Sequence, residues 1–152
     1  MKVIIAGAGE VGGYAAEVLS GAGHSVTVID LAEDRLRAIS DRLDVRTLSG
    51  HCAHVAVLEE AGAPRCDLMI AATSVDEINL LSASLAKAVG AKKTIVRVHH
   101  TANFKLRGTP LAAHLGIDEL ICPEHQAALD IARTVRNPGA IAIEEFAGSV
   151  PV

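Results

Sequence analysis

Residues 2–30, KVIIAGAGEVGGYAAEVLSGAGHSVTVID, decide the fold. An apolar run, Lys2–Ala6, leads into Gly7-Ala8-Gly9-Glu10-Val11-Gly12, a G-x-G-x-x-G pattern. A helical run over Val11–Ser20 follows, then Gly23, then a second apolar run, Ser25–Asp30, that ends on an acid. Strand, glycine loop, helix and strand in that order make a βαβ unit. Asp30 stands 18 residues beyond Gly12, close to the spacing expected of a dinucleotide-binding unit.

Each part has a physical task. Gly7 allows the tight turn out of the strand, Gly9 lets the backbone approach a phosphate, and Gly12 lets the helix pack against the sheet. The helix N-terminus supplies free N–H groups and the positive end of a dipole. Asp30 is placed to accept hydrogen bonds from ribose hydroxyls; its charge repels a 2′-phosphate, so NADP is disfavoured. Glu10 adds a negative charge within the loop and is expected to face solvent.

Working outward, short apolar runs alternate with longer amphipathic ones. Strands are expected at Lys2–Ala6, Ser25–Asp30, Val45–Leu48, Asp67–Ala71, Thr94–Val98 and Glu119–Cys122, several of them nearly continuous in Val, Ile and Leu. Helices are expected at Val11–Ser20, Glu33–Arg42, Ala53–Ala61, Val75–Val89, Phe104–Leu115 and His125–Val135. Strict alternation predicts an α/β protein: a Rossmann-like, doubly wound parallel sheet in a three-layer α/β/α arrangement. Gly23, Gly62, Gly90 and Gly116 each follow a helical run, where a left-handed C-cap is wanted. Pro64 and Pro110 fall in or beside connections, and Thr73 or Ser74 is placed to cap the helix starting near Val75. One domain is expected over residues 1–136. Residues 137–152, with a β-like run at Ala140–Phe146, read as a terminal strand and the start of a connection to a further lobe.

Composition narrows the function classes. Of 152 residues, 50% are apolar, and Tyr14, Phe104 and Phe146 are the aromatic set. That leaves no stacking platform for single-stranded nucleic acid. The net charge of −4, with basic residues spread along the chain, gives no electrostatic reason to expect DNA or RNA. The opening MKVIIAGAGEVGG is too glycine-rich and its apolar run too short for a signal peptide, and no run is long enough for a membrane span. Cys52, Cys66 and Cys122, odd in number and widely spaced, read as reduced thiols in a cytoplasmic protein.

Catalytic groups are hard to find. Seven histidines (His24, His51, His54, His99, His100, His114 and His125) form no recognisable dyad or triad, and G-x-S-x-G is absent. His51, Cys52 and His54 lie close in sequence, but the spacing is not a standard zinc pattern, so no metal is expected.

Several segments together resemble one family. They are GAGEVGGYAAEVLSGAGHSVTVID, RTLSGHCAHVAVLEEAGAPRCDLMIAATSVDEINLLSASLAK, TIVRVHH and CPEHQAALDIARTVRNPGAIAIEEFA, and they span almost the whole chain. The family is the nucleotide-binding lobe of the Trk/Ktr potassium-uptake regulators, the RCK or KTN domain, in its TrkA-type (TrkA-N) branch. The glycine pattern is generic; the G-H-x-x-H…L-x-x-A-G-A…A-A-T-S-x-D-E-x-N block is far more specific.

The resemblance implies a regulator, not an enzyme. It would bind NAD(H), ATP or ADP, control a membrane potassium transporter, and lie in the cytoplasm against the inner face of the membrane. It also implies a cofactor-binding set. Gly7, Ala8, Gly9, Glu10, Val11 and Gly12 would form the phosphate loop. Asp30, with Leu31 and Arg35, would hold the ribose region, and Gly50, His51 and Cys52 would lie along the adenine. Ala72, Thr73, Ser74 and Glu77 would lie near the phosphates, and Arg97 would offer positive charge to a terminal phosphate or the far half of NAD. Glu124 would sit near a dimer seam. Some members carry a second Arg two residues after the first, where this chain has His99, which weakens discrimination of ATP from ADP. A homo-oligomer is implied (dimer, tetramer or ring), with the helix near His125–Val135 packed across a two-fold axis, and an integral-membrane potassium transporter subunit as partner. Two alternatives stand beside this: an NAD-dependent oxidoreductase fragment, which needs a substrate domain, and an NADH-sensing regulator of transcription, which needs a DNA-binding module.

Overall fold

The computed structural model describes residues 1–99, 105–106 and 109–136. The first βαβ unit forms as its sequence dictates: β1 (Lys2–Ala6), α1 (Glu10–Gly21) and β2 (Ser25–Asp30). The chain continues through α2 (Glu33–Ser40), β3 (Arg46–Ser49), α3 (Val55–Ala61), a 3-10 turn (Ala63–Arg65), β4 (Leu68–Ala71), α4 (Asp76–Ala88) and β5 (Lys93–Arg97). A hairpin of β6 (Lys105–Leu106) and β7 (Thr109–Pro110), a short α5 (Leu111–His114), β8 (Glu119–Ile121) and α6 (Pro123–Arg136) complete the described elements.

The main sheet has six strands in the order β3-β2-β1-β4-β5-β8, and every pairing in it is parallel. The chain winds outward from β1 through β2 to β3, then returns to place β4 on the other side of β1. The direction of winding therefore reverses between β1 and β4, and a crevice opens there at the carboxyl ends of the strands.

Alternation along β1 sorts its side chains onto two faces. Ile4 and Ala6 join Ile29, Leu58 and Met69 under α3 and α4. Val3 and Ile5 join Val26, Val28, Leu36 and Ile39 under α1 and α2. A third cluster, Ala71, Leu80, Ala83, Val96, Val98 and Ile117, fills the space toward β8. Both faces are thus covered, which explains strands that are apolar at nearly every position.

The four glycines expected to end helices all have positive φ: Gly23 at 80°, Gly62 at 95°, Gly90 at 122° and Gly116 at 67°. Two local expectations are corrected. The helix expected over Phe104–Leu115 is instead the β6–β7 hairpin followed by α5; Pro110 lacks an N–H and cannot stand inside a helix, so α5 begins directly after it. Neither Thr73 nor Ser74 caps α4; its N-cap is Val75, without a side-chain cap hydrogen bond. The β-like run Ala140–Phe146 lies outside the described residues. Among the described residues, no helix is long and apolar enough to cross a membrane.

Candidate nucleotide-binding site

The crevice at the sheet edge holds a cleft of about 380 Å³, within the usual size of small-molecule sites. Five consecutive strand ends build it. From β1 come Gly7, Gly9, Glu10 and Val11; from β2, Asp30, Leu31 and Arg35; from β3, Gly50, His51 and Cys52. Ala72, Thr73 and Ser74 follow β4, and Arg97 closes β5. Fourteen of the seventeen residues expected from sequence therefore line one cleft, although they come from segments up to ninety residues apart. Ile29, Val75 and Ile78 line it as well and were not singled out from sequence.

The three others sit off the wall. Ala8 is buried within the loop and donates its N–H to Asp30 Oδ2 at 2.6 Å. Gly12 lies beneath the loop: a Cβ there would stand 1.9 Å from the Gly7 carbonyl oxygen. Its lack of a side chain thus serves the loop's own closure more than helix–sheet packing. Glu77 is exposed in the first turn of α4 and does not line the cleft.

Close backbone approaches and hydrogen bonds hold the loop in place. Gly7 has φ +103°, and a Cβ there would lie 2.8 Å from the Ala72 carbonyl oxygen, so β1 and β4 approach as closely as backbones allow. Its N–H donates to the Ile29 carbonyl at 2.8 Å. Asp30 Oδ1 accepts from the Ala32 N–H at 2.8 Å, while Oδ2 holds Ala8, so one carboxylate fastens both loops that follow β1 and β2. A Cβ on Gly9, by contrast, would meet nothing within 4 Å, because Gly9 faces the cleft. Glu10 is exposed, as expected.

His51 and His54 stack with ring centroids 4.9 Å apart. His51 Nδ1 accepts the Ala53 N–H at 3.1 Å, which leaves Nε2 as the ring's N–H donor. Cys52 is buried in the cleft floor, and burial raises its thiol pKa above the ordinary value. Among the described residues, no three His, Cys, Asp or Glu side chains converge as a metal site.

The far end of the cleft depends on a residue that sequence reasoning passed over. Asn79 is fully buried in α4. Its Oδ1 accepts from the Thr73 N–H at 2.8 Å and the Thr73 hydroxyl at 2.6 Å; its Nδ2 donates to the Thr73 and Arg97 carbonyls, each at 3.0 Å. The ends of β4 and β5 are thereby joined through one amide. The signal in the sequence was a polar residue on an apolar helix face, between Ile78 and Leu80, closing the D-E-x-N block. Beyond it, the His99 N–H donates to both carboxylate oxygens of Asp76, and His99 Nδ1 lies 2.6 Å from Asp76 Oδ1. Arg97 Nη2 pairs with Glu124 Oε1 at 2.5 Å.

Fold and cleft together define a Rossmann-type domain with its candidate site at the switch point. The chain belongs to the TrkA-N domain family, whose model matches residues 3–123. It is 39% identical over 151 residues to the Trk system potassium uptake protein TrkA of Halomonas elongata, covering 99% of this chain and 33% of that protein. It is 42% identical over 150 residues to the Trk system potassium uptake protein TrkA homolog of Archaeoglobus fulgidus, covering 97% of this chain and 33% of that protein. The chain therefore spans about a third of the length of these relatives. Among solved structures, it resembles the TrkA-N domain of the inner membrane protein ybaL from Escherichia coli, with TM-score 0.77 and 18% identity over 88% of this chain and 96% of that one. It also resembles the GsuK channel bound to NAD, with TM-score 0.67 and 14% identity over 79% of this chain and 21% of that one.

Proposed function

We propose that this chain binds an adenine nucleotide, NAD(H), ATP or ADP, in the cleft and acts as a nucleotide-sensing regulatory module of a membrane potassium-uptake system. The observation that carries this reading is the convergence of the glycine loop, Asp30 and Arg97 on one cleft at the β1–β4 reversal. Support comes from relatives named as potassium uptake proteins and from a structural neighbour described as bound to NAD.

In this reading the N–H groups around Gly9, Glu10 and Val11 at the start of α1 meet the phosphates. Asp30 keeps lone pairs beyond the two it uses in the loops, and these accept from the ribose hydroxyls. Gly50, His51 and Cys52 border the base, Leu31 and Arg35 flank the sugar, and Arg97 meets charge at the far end. Nucleotides then act by favouring one arrangement of the assembled regulator over another, through their differential affinity for the two.

The proposed assembly is a homo-oligomer seated on the cytoplasmic face of a potassium transporter. All of α6 is exposed in the single chain, with Ile131 at 66% and Val135 at 74%. Ala128, Ile131, Ala132 and Val135 follow helical spacing, so a second copy covering that stripe would bury it.

Calorimetric titration with NADH, NAD, ATP and ADP tests the nucleotide reading. Gly9→Val is the control, since Gly9 has room for a side chain that would project into the cleft. The expected result is saturable binding of at least one nucleotide, lost in the variant. A correctly folded chain that binds none of the four would overturn the reading.

A further inference from the structure

A second cavity, of about 380 Å³, lies between α1 and α2, beside the glycine loop. α1 lines it with Glu10, Gly13, Tyr14 and Glu17. α2 and the turn after it line it with Arg35, Ala38, Ile39 and Arg42. Both sets follow the spacing i, i+3, i+4, i+7, which is one face of a helix. Backbone bonds from the Asp41 N–H to Arg37 and from the Leu43 N–H to Ile39 carry the coil of α2 past Arg42. Both helices descend from the carboxyl ends of paired parallel strands, so they run the same way. Glu10 and Arg35 also border the first cleft, which puts them at the same end of the groove. Glu17 and Arg42 lie two turns further along, about 10 Å. One wall thus carries an acid row and the other a basic row. All four charged side chains are exposed, and among the described residues none of them has an ion-pair partner. Tyr14, set between the two acids, is 69% exposed.

We propose that this groove is a contact surface for a second copy of the chain, docked about a two-fold axis that runs along the groove. Rotation about that axis lays α1 of each copy on α2 of the other, level for level. Glu10 then meets the partner's Arg35, and Glu17 meets the partner's Arg42. Tyr14 lies over the small side chain of the partner's Ala38, and its exposed ring is covered. Each contact occurs twice by symmetry. Charge chooses both the occupant and the axis. Another protein would need acid and basic rows of the same length in the complementary arrangement, and this chain already carries both. A two-fold axis across the groove would set acid on acid and base on base, which the charges oppose. The contact is separate from the α6 stripe, and nothing in it depends on a bound nucleotide. It reaches the rim of the first cleft, because Gly9, Glu10 and Arg35 line both cavities.

Charge reversal tests this by sedimentation equilibrium, with every chain carrying Ile131→Asp so that α6 contributes no contact. The unreversed chain is expected to form a dimer that weakens as salt is raised. Glu17→Arg alone and Arg42→Glu alone should each raise the dimer dissociation constant about tenfold or more, since symmetry brings like charges together twice. An equimolar mixture of the two single variants should pair as tightly as the unreversed chain, because Arg and Glu then face each other again. The chain carrying both reversals should do the same. Both positions are exposed, so neither substitution disturbs the core. A chain that stays monomeric, single reversals without effect, or a mixture and double variant that fail to regain pairing each overturn the proposal. The α6 contact stands or falls separately, on Ile131→Asp against the wild type.

Discussion

The Ala8 N–H donates to Asp30 Oδ2 at 2.6 Å, and this bond makes the glycine loop and the end of β2 a single unit. The acid expected to contact a ribose is therefore also a structural tie. Asp30→Asn turns one of two backbone-facing acceptors into a donor, opposite either Ala8 or Ala32. The variant should lose about 1–3 kcal/mol of stability by urea unfolding, the usual cost of an unmet polar group, and should bind nucleotide at least tenfold less tightly by calorimetry. Unchanged stability would show that the carboxylate does not hold the loop.

Gly9 and Gly12 should separate sharply although both belong to the pattern. Alanine at Gly9 meets open space and should leave the urea midpoint nearly unchanged. Alanine at Gly12 drives its Cβ onto the Gly7 carbonyl oxygen, where backbone must move, and should destabilise by about 2 kcal/mol or more. Equal midpoints for the two would mean the loop relaxes freely.

Asn79→Ala removes four hydrogen bonds around Thr73 and Arg97 and should cost about 2–4 kcal/mol. Asn79→Asp should be no better, because its second oxygen would face the two carbonyls to which Nδ2 now donates. Denaturant curves compare them; an aspartate variant as stable as wild type would contradict the hydrogen-bond assignment.

Asp118 binds Lys87 Nζ at 2.7 Å and accepts the Thr94 N–H at 2.7 Å, fastening the approach to β8 onto α4 and β5. Lys87 first, with help from Thr94, holds its carboxyl below the ordinary carboxylate range. A depressed folded pKa contributes stability that is present above the unfolded value of about 3.9 and is lost as pH falls through the folded value. Asp118→Asn should therefore lie below the wild type at pH 7 and converge on it as pH drops below about 4. A gap independent of pH would show that charge is not the cause.

Ile131→Asp should weaken self-association, read as a smaller particle in sedimentation velocity. Monomer stability should change little, because that side chain is already exposed. An unchanged sedimentation coefficient would rule out the α6 stripe as the contact between copies.

Much of this protein is legible in its order of residues. Apolar runs of strand length, amphipathic runs of helix length and glycines after helices are local signals. They anticipate the six strands of the main sheet, four positive-φ helix ends and the loop at Gly7–Gly12, since backbone preference and burial pattern act over a few residues. The helix expected around Pro110 failed where a proline overrode that pattern. Other features required the fold. Strand order brings Gly7 beside Ala72, and the packing of α4 and α6 against the sheet brings Asn79 and Glu124 to Arg97. These pairings join positions distant in sequence through side-chain geometry, and no local periodicity records which strand end will neighbour which. Local patterns carry the parts and their order; which polar groups meet is set when the strands and helices pack side by side.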